Sequence, residues 1–366
     1  MGQMTVKLSE VRAQAATRSL FAPTSLARAV ARLGFVQADP IAAPARAQDL
    51  ILRHRVRNYR AGDLERRYPD LDVDEDYLHV YGYMPRSVSA LLHPRAGEWR
   101  VDREYPKLAE RVLKFVREAG ESDHRQLEKH LGRLSTTGDW GGQANATTRI
   151  LDMLHYRGHV RVARRSGNAR RFAAASPPES TAPPEERLRQ LVMVLARLYA
   201  PTTEATLREL VARLRYSAPS LDGRRTAVRD LLKSGELEQA DVAGMTYIWP
   251  GGEWQRHEAP REVRFLAPFD PIVYDRRRFE HLWGWPYRFE AYTPVAKRRW
   301  GYYAMPLLWG DRIIGWANAS LDEGGLRVEV GFVNRRPAGR DFKIALEAEY
   351  ERLQACLSRG RGHGVT

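Results

Sequence analysis

Cysteine is almost absent from this sequence: Cys356 is the only one among 366 residues. One cysteine excludes an internal disulfide and any zinc site built on several thiolates. The ten histidines form no His-Glu-x-x-His pattern. His155 and His159 are four residues apart, but Gly158 lies between them and is expected to end a helix. We therefore predict no metal site and no cofactor.

Long apolar runs are also missing. No uncharged apolar stretch reaches the about 18 residues that a membrane-spanning helix needs. The longest, Trp300–Gly310, is bounded by Arg299 and Asp311. The segment Met1–Glu10 lacks the apolar region of a secretory signal. We expect a cytoplasmic protein without a membrane partner.

Lysine is scarce, since 7 of the 59 basic residues are Lys and 52 are Arg. The net charge of +14 favours phosphate-rich partners. GC-rich coding alone can produce an arginine excess, so the clustering of charge is more informative than its total. Residues 40–67 hold seven Arg against three acidic residues, and residues 149–176 hold seven Arg against one. Both stretches are candidate phosphate-facing surfaces.

One sequence pattern recurs at an offset of 77 residues: Leu151–Val160 and Val228–Leu237 share it. In each copy apolar residues at helical spacing lead to a glycine, Gly158 or Gly235, as at a helix C-terminus. A short alternating segment, a turn and a return strand follow. A helix followed by a two-stranded hairpin is how a winged helix ends.

The rest of the chain divides at a proline-rich linker, residues 173–184, and at a weaker break near 250–260. We predict an α+β fold, with tandem winged-helix (helix-turn-helix) units followed by a small C-terminal β-barrel-like domain. The predicted domains are a winged helix-like unit at 1–95, winged helices at 100–176 and 184–250, and a β-rich domain with a closing helix at 260–360. The strands predicted for that last domain are Val263–Ile272, Arg288–Tyr292, Gly301–Leu308, Arg312–Ala319 and Leu326–Val333, before a helix at Phe342–Leu357.

The most distinctive short motif is Gln37-Ala38-Asp39, followed by Pro40. In an extended segment Gln37 and Asp39 point to the same side. One interpretation is structural: Asp39 caps a helix that starts with Pro40 and runs to about Val56. The other is catalytic, because a fixed carboxylate and a neighbouring amide can orient one water for hydrolysis of an N-glycosidic bond with an oxocarbenium-like transition state.

Basic residues near these groups are candidate DNA contacts. Arg46 and Arg53 follow Asp39 at intervals of seven residues, about two helical turns each, so a continuous helix would place them on one face with it. A predicted hairpin tip and a predicted inter-strand loop add others, for which solvated basic turns are the simpler interpretation. The predicted DNA-binding residues are Arg46, Arg53, Arg55, Arg164, Arg165, Lys297, Arg298 and Arg299.

Four motifs together point to a known family: Gln37-Ala38-Asp39, Arg46-Ala47, the Pro-Phe-Asp-Pro stretch Pro268–Pro271, and the Thr-Pro-x-x-Lys-Arg-x-x-Gly-Tyr stretch Thr293–Tyr302. From residue 6 to about 357 the chain resembles the bacterial winged-helix crosslink-repair DNA glycosylases of the YcaQ/AlkZ type, in their Gln-x-Asp branch. It departs from many relatives after the first predicted wing, where only His79 matches their Ala-His-Glu-Ala segment.

The resemblance implies a monofunctional, metal-independent glycosylase in which Gln37 and Asp39 are catalytic. Its implied substrate is double-stranded DNA with alkylated purines of the N7-alkylguanine type, including interstrand crosslinks. A monomer associated with the nucleoid is expected. The sequence leaves two alternatives open: a non-catalytic winged-helix DNA-binding protein or transcriptional regulator, in which Asp39 is only a cap, and an RNA-binding or scaffold protein.

Overall fold

The secondary structure was assigned in a computed structural model that describes residues 5–95, 97, 99–138, 141–167, 169–255, 258–323, 325–333 and 335–358. The helices are α1 Leu8–Ser19, α2 Leu26–Leu33, α3 Ala47–Leu52, α4 Asp63–Arg67, α5 Arg86–Leu91, α6 Arg100–Glu104, α7 Leu108–Ala119, α8 His124–Leu131, α9 Ala146–Tyr156, α10 Pro184–Tyr199, α11 Glu204–Arg213, α12 Ala227–Ser234, α13 Pro271–Tyr274, α14 Arg276–Trp283 and α15 Arg340–Leu357. The strands are β1 Val36–Gln37, β2 Val73–Tyr77, β3 Tyr81–Pro85, β4 Glu121–Ser122, β5 Ser135–Thr137, β6 Gln143–Asn145, β7 Val160–Ser166, β8 Ala169–Ala174, β9 Thr202–Thr203, β10 Leu237–Val242, β11 Met245–Pro250, β12 Val263–Phe265, β13 Met305–Trp309, β14 Arg312–Asp322 and β15 Gly325–Phe332.

The chain forms two compact units, each assembled from separated segments. The first comprises residues 1–64, 192–210 and 225–366, and the second comprises residues 65–191 and 211–224. The division into four consecutive domains, which the sequence predicts, therefore stays a prediction. No helix in the described part of the chain is long and apolar enough to cross a bilayer.

The second unit contains the first copy of the repeat. Helix α9 is followed by Gly158 at φ +80°, and β7 and β8 then pair as an antiparallel hairpin. The short strand β4, which precedes α8, pairs with the returning strand β8. The cap of α8 is Asp123, whose side chain accepts from the Gln126 amide at 2.9 Å. The preceding residue, Ser122, lies in β4.

The first unit contains the second copy. Helix α12 ends at Gly235 with φ +79°, and the hairpin of β10 and β11 follows. Again a short strand, β9, pairs with the returning strand. Thr203 caps α11, because its Oγ1 accepts from the Thr206 amide at 3.1 Å. The two copies thus share the glycine conformation and the strand order, and the repeat is confirmed as a structural one.

The C-terminal part of the first unit is an antiparallel sheet in the order β12-β13-β14-β15, curled into a half-barrel. The closing helix is confirmed as α15, and its buried Glu349 accepts from the Phe265 amide at 2.7 Å. The predicted strand Arg288–Tyr292 is wrong. Phe289 instead packs against Phe269 and Tyr303, with ring centroids 5.0 and 5.3 Å away.

Candidate active site

The chain between α2 and α3 carries the Gln37-Ala38-Asp39 motif. Helix α2 ends at Gly34, whose left-handed φ of +72° turns the chain into β1. No helix begins at Pro40, since α3 starts only at Ala47. The predicted helix from Pro40 to Val56, with Asp39 as its cap, is therefore wrong. Pro40 and Pro44 have no amide hydrogen, and a residue that precedes proline disfavours the α conformation.

Asp39 instead closes a small turn on its own backbone. Its Oδ1 accepts from the Ile41 amide at 2.9 Å, as Asx-turns do. Burial raises the pKa of the Asp39 carboxyl, and the bond from Ile41 opposes that rise. A carboxylate whose pKa is moved towards the working pH suits a general base.

Gln37 lies beside it in the extended segment. Its side-chain Oε1 is buried and has no hydrogen-bond partner in the part of the chain that the structure describes. A buried acceptor without a partner costs about 1–3 kcal/mol. Native proteins keep few such groups, and those that persist often mark functional sites. Gln37 therefore has a buried acceptor, without a partner among the described residues, two positions before the Asp39 carboxylate.

Tyr303, which no sequence motif singled out, is another buried polar residue of the first unit. Its side chain is 3% exposed, and its hydroxyl has no hydrogen-bond partner among the described residues. Burial raises the pKa of the Tyr303 hydroxyl well above 10, and the charge of Asp39 is the second cause. The two groups are therefore close enough to interact. The only sequence signal was indirect, since Tyr303 directly follows the Thr293–Tyr302 stretch.

Hydrogen bonds to main-chain carbonyls bring together segments that lie far apart in the sequence. After α3, Arg53 and His54 both bond to the Phe265 carbonyl, at 2.8 and 3.0 Å. The next residue, Leu266, donates its amide to the Pro306 carbonyl at 2.9 Å. The end of α3 and the start of β13 thus converge on the end of β12, and Tyr303 lies two residues before β13.

Two of the predicted DNA contacts are wrong. Arg53 is buried and donates to Glu349 at 2.6 Å, and Arg55 is fully buried. Their guanidiniums cannot reach a phosphate, because each is bound to a carboxylate inside the protein. Arg46 occupies the N-cap position of α3 and is half-buried. Arg46 and Asp39 do not share one face of a helix as predicted, because Asp39 lies outside any helix.

The buried partner of Arg55 is Asp270, from the Pro268–Pro271 stretch. Asp270 also caps α13 by accepting from the Ile272 amide at 3.1 Å. The Pro268–Pro271 motif therefore has a structural role: it holds α13 against the segment that follows α3.

The hairpin pair Arg164 and Arg165 have different environments. The Arg164 side chain is 52% exposed and contacts Glu121 at 2.6 Å. The Arg165 side chain is 16% exposed and binds the buried carboxylate of Glu75, with its Nε 2.8 Å from Oε2. Hydrogen bonds and the charge of Arg165 lower the pKa of Glu75 against the effect of burial. Arg164 remains a candidate phosphate contact, whereas Arg165 is committed to Glu75.

The basic loop Thr293–Tyr302 is organised around Glu290. This role of Glu290 could not be predicted, because the residue falls in the segment predicted as a strand. Its carboxylate accepts from the Arg299 amide at 2.9 and 3.0 Å and from the Trp300 amide at 2.8 Å. Lys297 and Arg299 have exposed side chains, and Arg298 donates to the Thr293 carbonyl at 2.8 Å.

Repeated helix-and-hairpin units in a strongly basic chain are features of nucleic-acid-processing proteins. The chain belongs to one family of them: the family model for DNA glycosylase AlkZ-like matches residues 30–356. The match includes the Gln37-Ala38-Asp39 segment, both copies of the repeat and the C-terminal sheet. The resemblance seen in the sequence is confirmed at the level of the family, which carries a DNA glycosylase role in DNA repair. No solved structure matches the chain.

Proposed function

We propose that this protein is a monofunctional DNA glycosylase that hydrolyses the N-glycosidic bond of N7-alkylguanine-type lesions and unhooks interstrand crosslinks of that chemistry. The observation that carries the proposal is the half-buried carboxylate of Asp39, two positions after Gln37, whose buried Oε1 has no hydrogen-bond partner among the described residues. Asp39 also closes the turn at Ile41, and the proposal leaves that role in place. The cap interpretation of Asp39, on which a purely DNA-binding role rested, has no helix to support it.

The proposed reaction needs one base and one water. An N7-alkylated guanine is cationic, so the electrons of the breaking C1′–N9 bond neutralise it and no general acid is required. The water oxygen forms the new bond to C1′ and loses one proton to Asp39. Gln37 accepts a hydrogen bond from the same water, and the Asp39 charge stabilises the oxocarbenium-like transition state. The proposal requires no metal.

We further propose that the two helix-and-hairpin repeats are winged helices that hold duplex DNA for a monomeric enzyme associated with the nucleoid. The proposed phosphate contacts are Arg46, Arg164, Lys297, Arg298 and Arg299. The loop Thr293–Tyr302 would grip the lesion-bearing backbone beside Gln37 and Asp39. A crosslinked base is tied to the opposite strand and cannot be fully extruded, so the site must work as an open cleft.

A base-release assay tests the function directly. The purified protein is incubated with duplex DNA that contains a single 7-methylguanine, and abasic sites are cleaved with alkali. We expect strand cleavage only with the damaged duplex, together with free 7-methylguanine in the supernatant. A duplex with a defined N7–N7 guanine crosslink should yield separated strands. Binding of both duplexes without release of a base would leave the protein a DNA-binding member of the family.

A further inference from the structure

Three helices end with an arginine at one cavity of the first unit. Arg18 lies in the last turn of α1, Arg32 in the last turn of α2 and Arg197 in the last turn of α10. Together with Glu253, which follows β11, they line a cavity of about 220 Å³. A second cavity of about 240 Å³ is also lined by Arg18, Arg32 and Glu253. The charged side chains around the first cavity therefore carry a net charge of +2.

Glu253 neutralises only part of this positive charge. Its Oε2 lies 2.6 Å from Arg18 Nη2, and its Oε1 lies 3.2 Å from Arg197 Nε. Arg32 stacks on the ring of Phe21, with 4.2 Å between its guanidinium carbon and the ring centroid, and pairs with no carboxylate among the described residues. Arg18 Nε is buried and has no hydrogen-bond partner in the same part of the chain. N–H donors are thus in excess at this cavity.

Contacts between the elements hold the three arginines around the cavity. Gly34, which follows α2, lies so close to α10 that a Cβ there would be 3.1 Å from Val194 Cγ1. Gln14 of α1 donates from its Nε2 to the Glu253 carbonyl at 3.2 Å. The cavity is therefore formed by elements that pack against one another, and not by a single mobile loop.

Stabilisation of the helix ends is the simpler explanation of these arginines. A cation in the last turn of a helix interacts favourably with the helix dipole. This effect accounts for one arginine on each helix, but it does not account for three beside one cavity, where like charges repel. Partial desolvation and the charge of Arg18 accordingly lower the pKa of the Arg32 guanidinium. An anion in the cavity would offset this repulsion.

A phosphate group matches the cavity in charge, in hydrogen bonding and in size. Guanidinium groups bind phosphate oxygens through paired N–H donors. Each cavity is several times larger than the about 30 Å³ that one water molecule occupies in the liquid, so it has room for a larger group. Arg32 and Arg197 are exposed, so the cavity can be reached from the solvent.

We propose that Arg18, Arg32 and Arg197 form a phosphate-binding site, which holds one phosphodiester group of the DNA backbone. Glu253 keeps two of the three guanidiniums in position. Because α2 leads through Gly34 into the segment of Gln37, a phosphate bound here anchors the helix that precedes the candidate catalytic residues. The inference rests on the DNA binding that the proposed function requires, and not on the release of a base.

The first test measures the binding of an undamaged, fluorescein-labelled duplex by anisotropy over a range of salt concentrations. Arg32→Ala should lower the slope of log K against log salt by about one, because one phosphate contact is lost. Arg28→Ala is the matched control, since Arg28 is exposed one turn earlier on α2 and lines neither cavity. Its slope should stay close to that of the wild type. Equal losses in the two variants would show a diffuse charge effect and overturn the site.

The second test predicts a gain of binding. Glu253→Gln removes the negative charge at the cavity, so DNA affinity at low salt should rise by about threefold and the slope should become steeper. Glu347→Gln is the control, since Glu347 is exposed on α15 and lines neither cavity. An unchanged affinity of Glu253→Gln, together with a lower melting temperature, would show that Glu253 and its arginines only support the fold.

The outcomes separate this inference from the proposed function. Failure of the wild-type protein to bind duplex DNA would overturn both. DNA binding with the expected slopes but without release of 7-methylguanine would overturn only the proposed function. Base release with equal slopes for the wild type and Arg32→Ala would overturn only the inference. If inorganic phosphate then raised the melting temperature of the wild type and not of Arg32→Ala, the site would bind free phosphate instead of DNA.

Discussion

Arg55 and Asp270 form a two-point ion pair in which neither side chain is exposed. Arg55 Nη1 lies 2.8 Å from Asp270 Oδ2, and Nη2 lies 3.0 Å from Oδ1. The guanidinium also donates to the carbonyl and the hydroxyl of Ser19, at 2.8 and 2.9 Å. One arginine thus joins α1, the segment after α3 and the cap of α13. It is a structural residue in a stretch whose charge resembles a DNA-binding surface.

Replacement of Arg55 should therefore affect stability and not DNA contact. Arg55→Met leaves Asp270 charged and unpaired inside the protein, and breaking such a pair typically costs about 3–5 kcal/mol. We expect a clearly lower urea midpoint with an unchanged salt dependence of DNA binding. Arg57→Ala is the matched control, since Arg57 is exposed two residues away. Equal urea midpoints for the two variants would contradict the buried pair.

Replacement of the two hairpin arginines should likewise distinguish a DNA contact from a residue that stabilises the fold. Arg164→Ala removes a half-exposed cation and should lower the slope of log K against log salt by about one, equally for damaged and undamaged duplex. Arg165→Ala leaves Glu75 buried and unpaired, so it should lower the melting temperature with little change in slope. If only Arg165→Ala reduced the slope, Arg165 and not Arg164 would be the phosphate contact.

Asp39→Asn tests the proposed general base. Excision of 7-methylguanine should fall by about 100-fold or more, while DNA affinity stays within a few fold. Asn can still accept from the Ile41 amide, so the turn is preserved. Because burial raises the pKa of Asp39 in the folded protein, its ionisation opposes folding at neutral pH. The melting temperature should therefore stay level or rise, and a variant that melts early would point to a structural role.

The raised pKa of Asp39 also predicts the acid limb of activity. The reaction needs the carboxylate, so the rate should decline as pH falls through the pKa of this group. Burial places that midpoint above the ordinary value of 3.8. The single-turnover rate measured at each pH, with DNA binding followed in parallel, gives the midpoint. A midpoint at or below 3.8 would show that Asp39 is not the buried base described above.

Local signals in the sequence were enough for the repeat, because helical spacing and a left-handed glycine are encoded within a few residues. Gly158 and Gly235 accordingly fall where the pattern placed them. The Arg55 prediction failed for the opposite reason, since its partner Asp270 lies 215 residues away. The Asp39-Pro40 pair is typical of a helix start, which is why a helix was expected there. That helix does not form, because Pro44, a few residues further on, has no amide hydrogen to donate. Tyr303 was missed because its electrostatic interaction with Asp39 joins residues that lie far apart in the sequence.

Glu290 holds the basic loop by its backbone amides, at Arg299 and Trp300, and not by its side chains. The loop can therefore keep its shape whatever residues occupy its exposed positions. The exposed side chains of Lys297 and Arg299 do not hold the loop in shape. Both positions can therefore be mutated without a change in the sheet that carries the loop. Under the proposed function, libraries at these two positions would change which flanking DNA is tolerated while Gln37 and Asp39 stay unaltered.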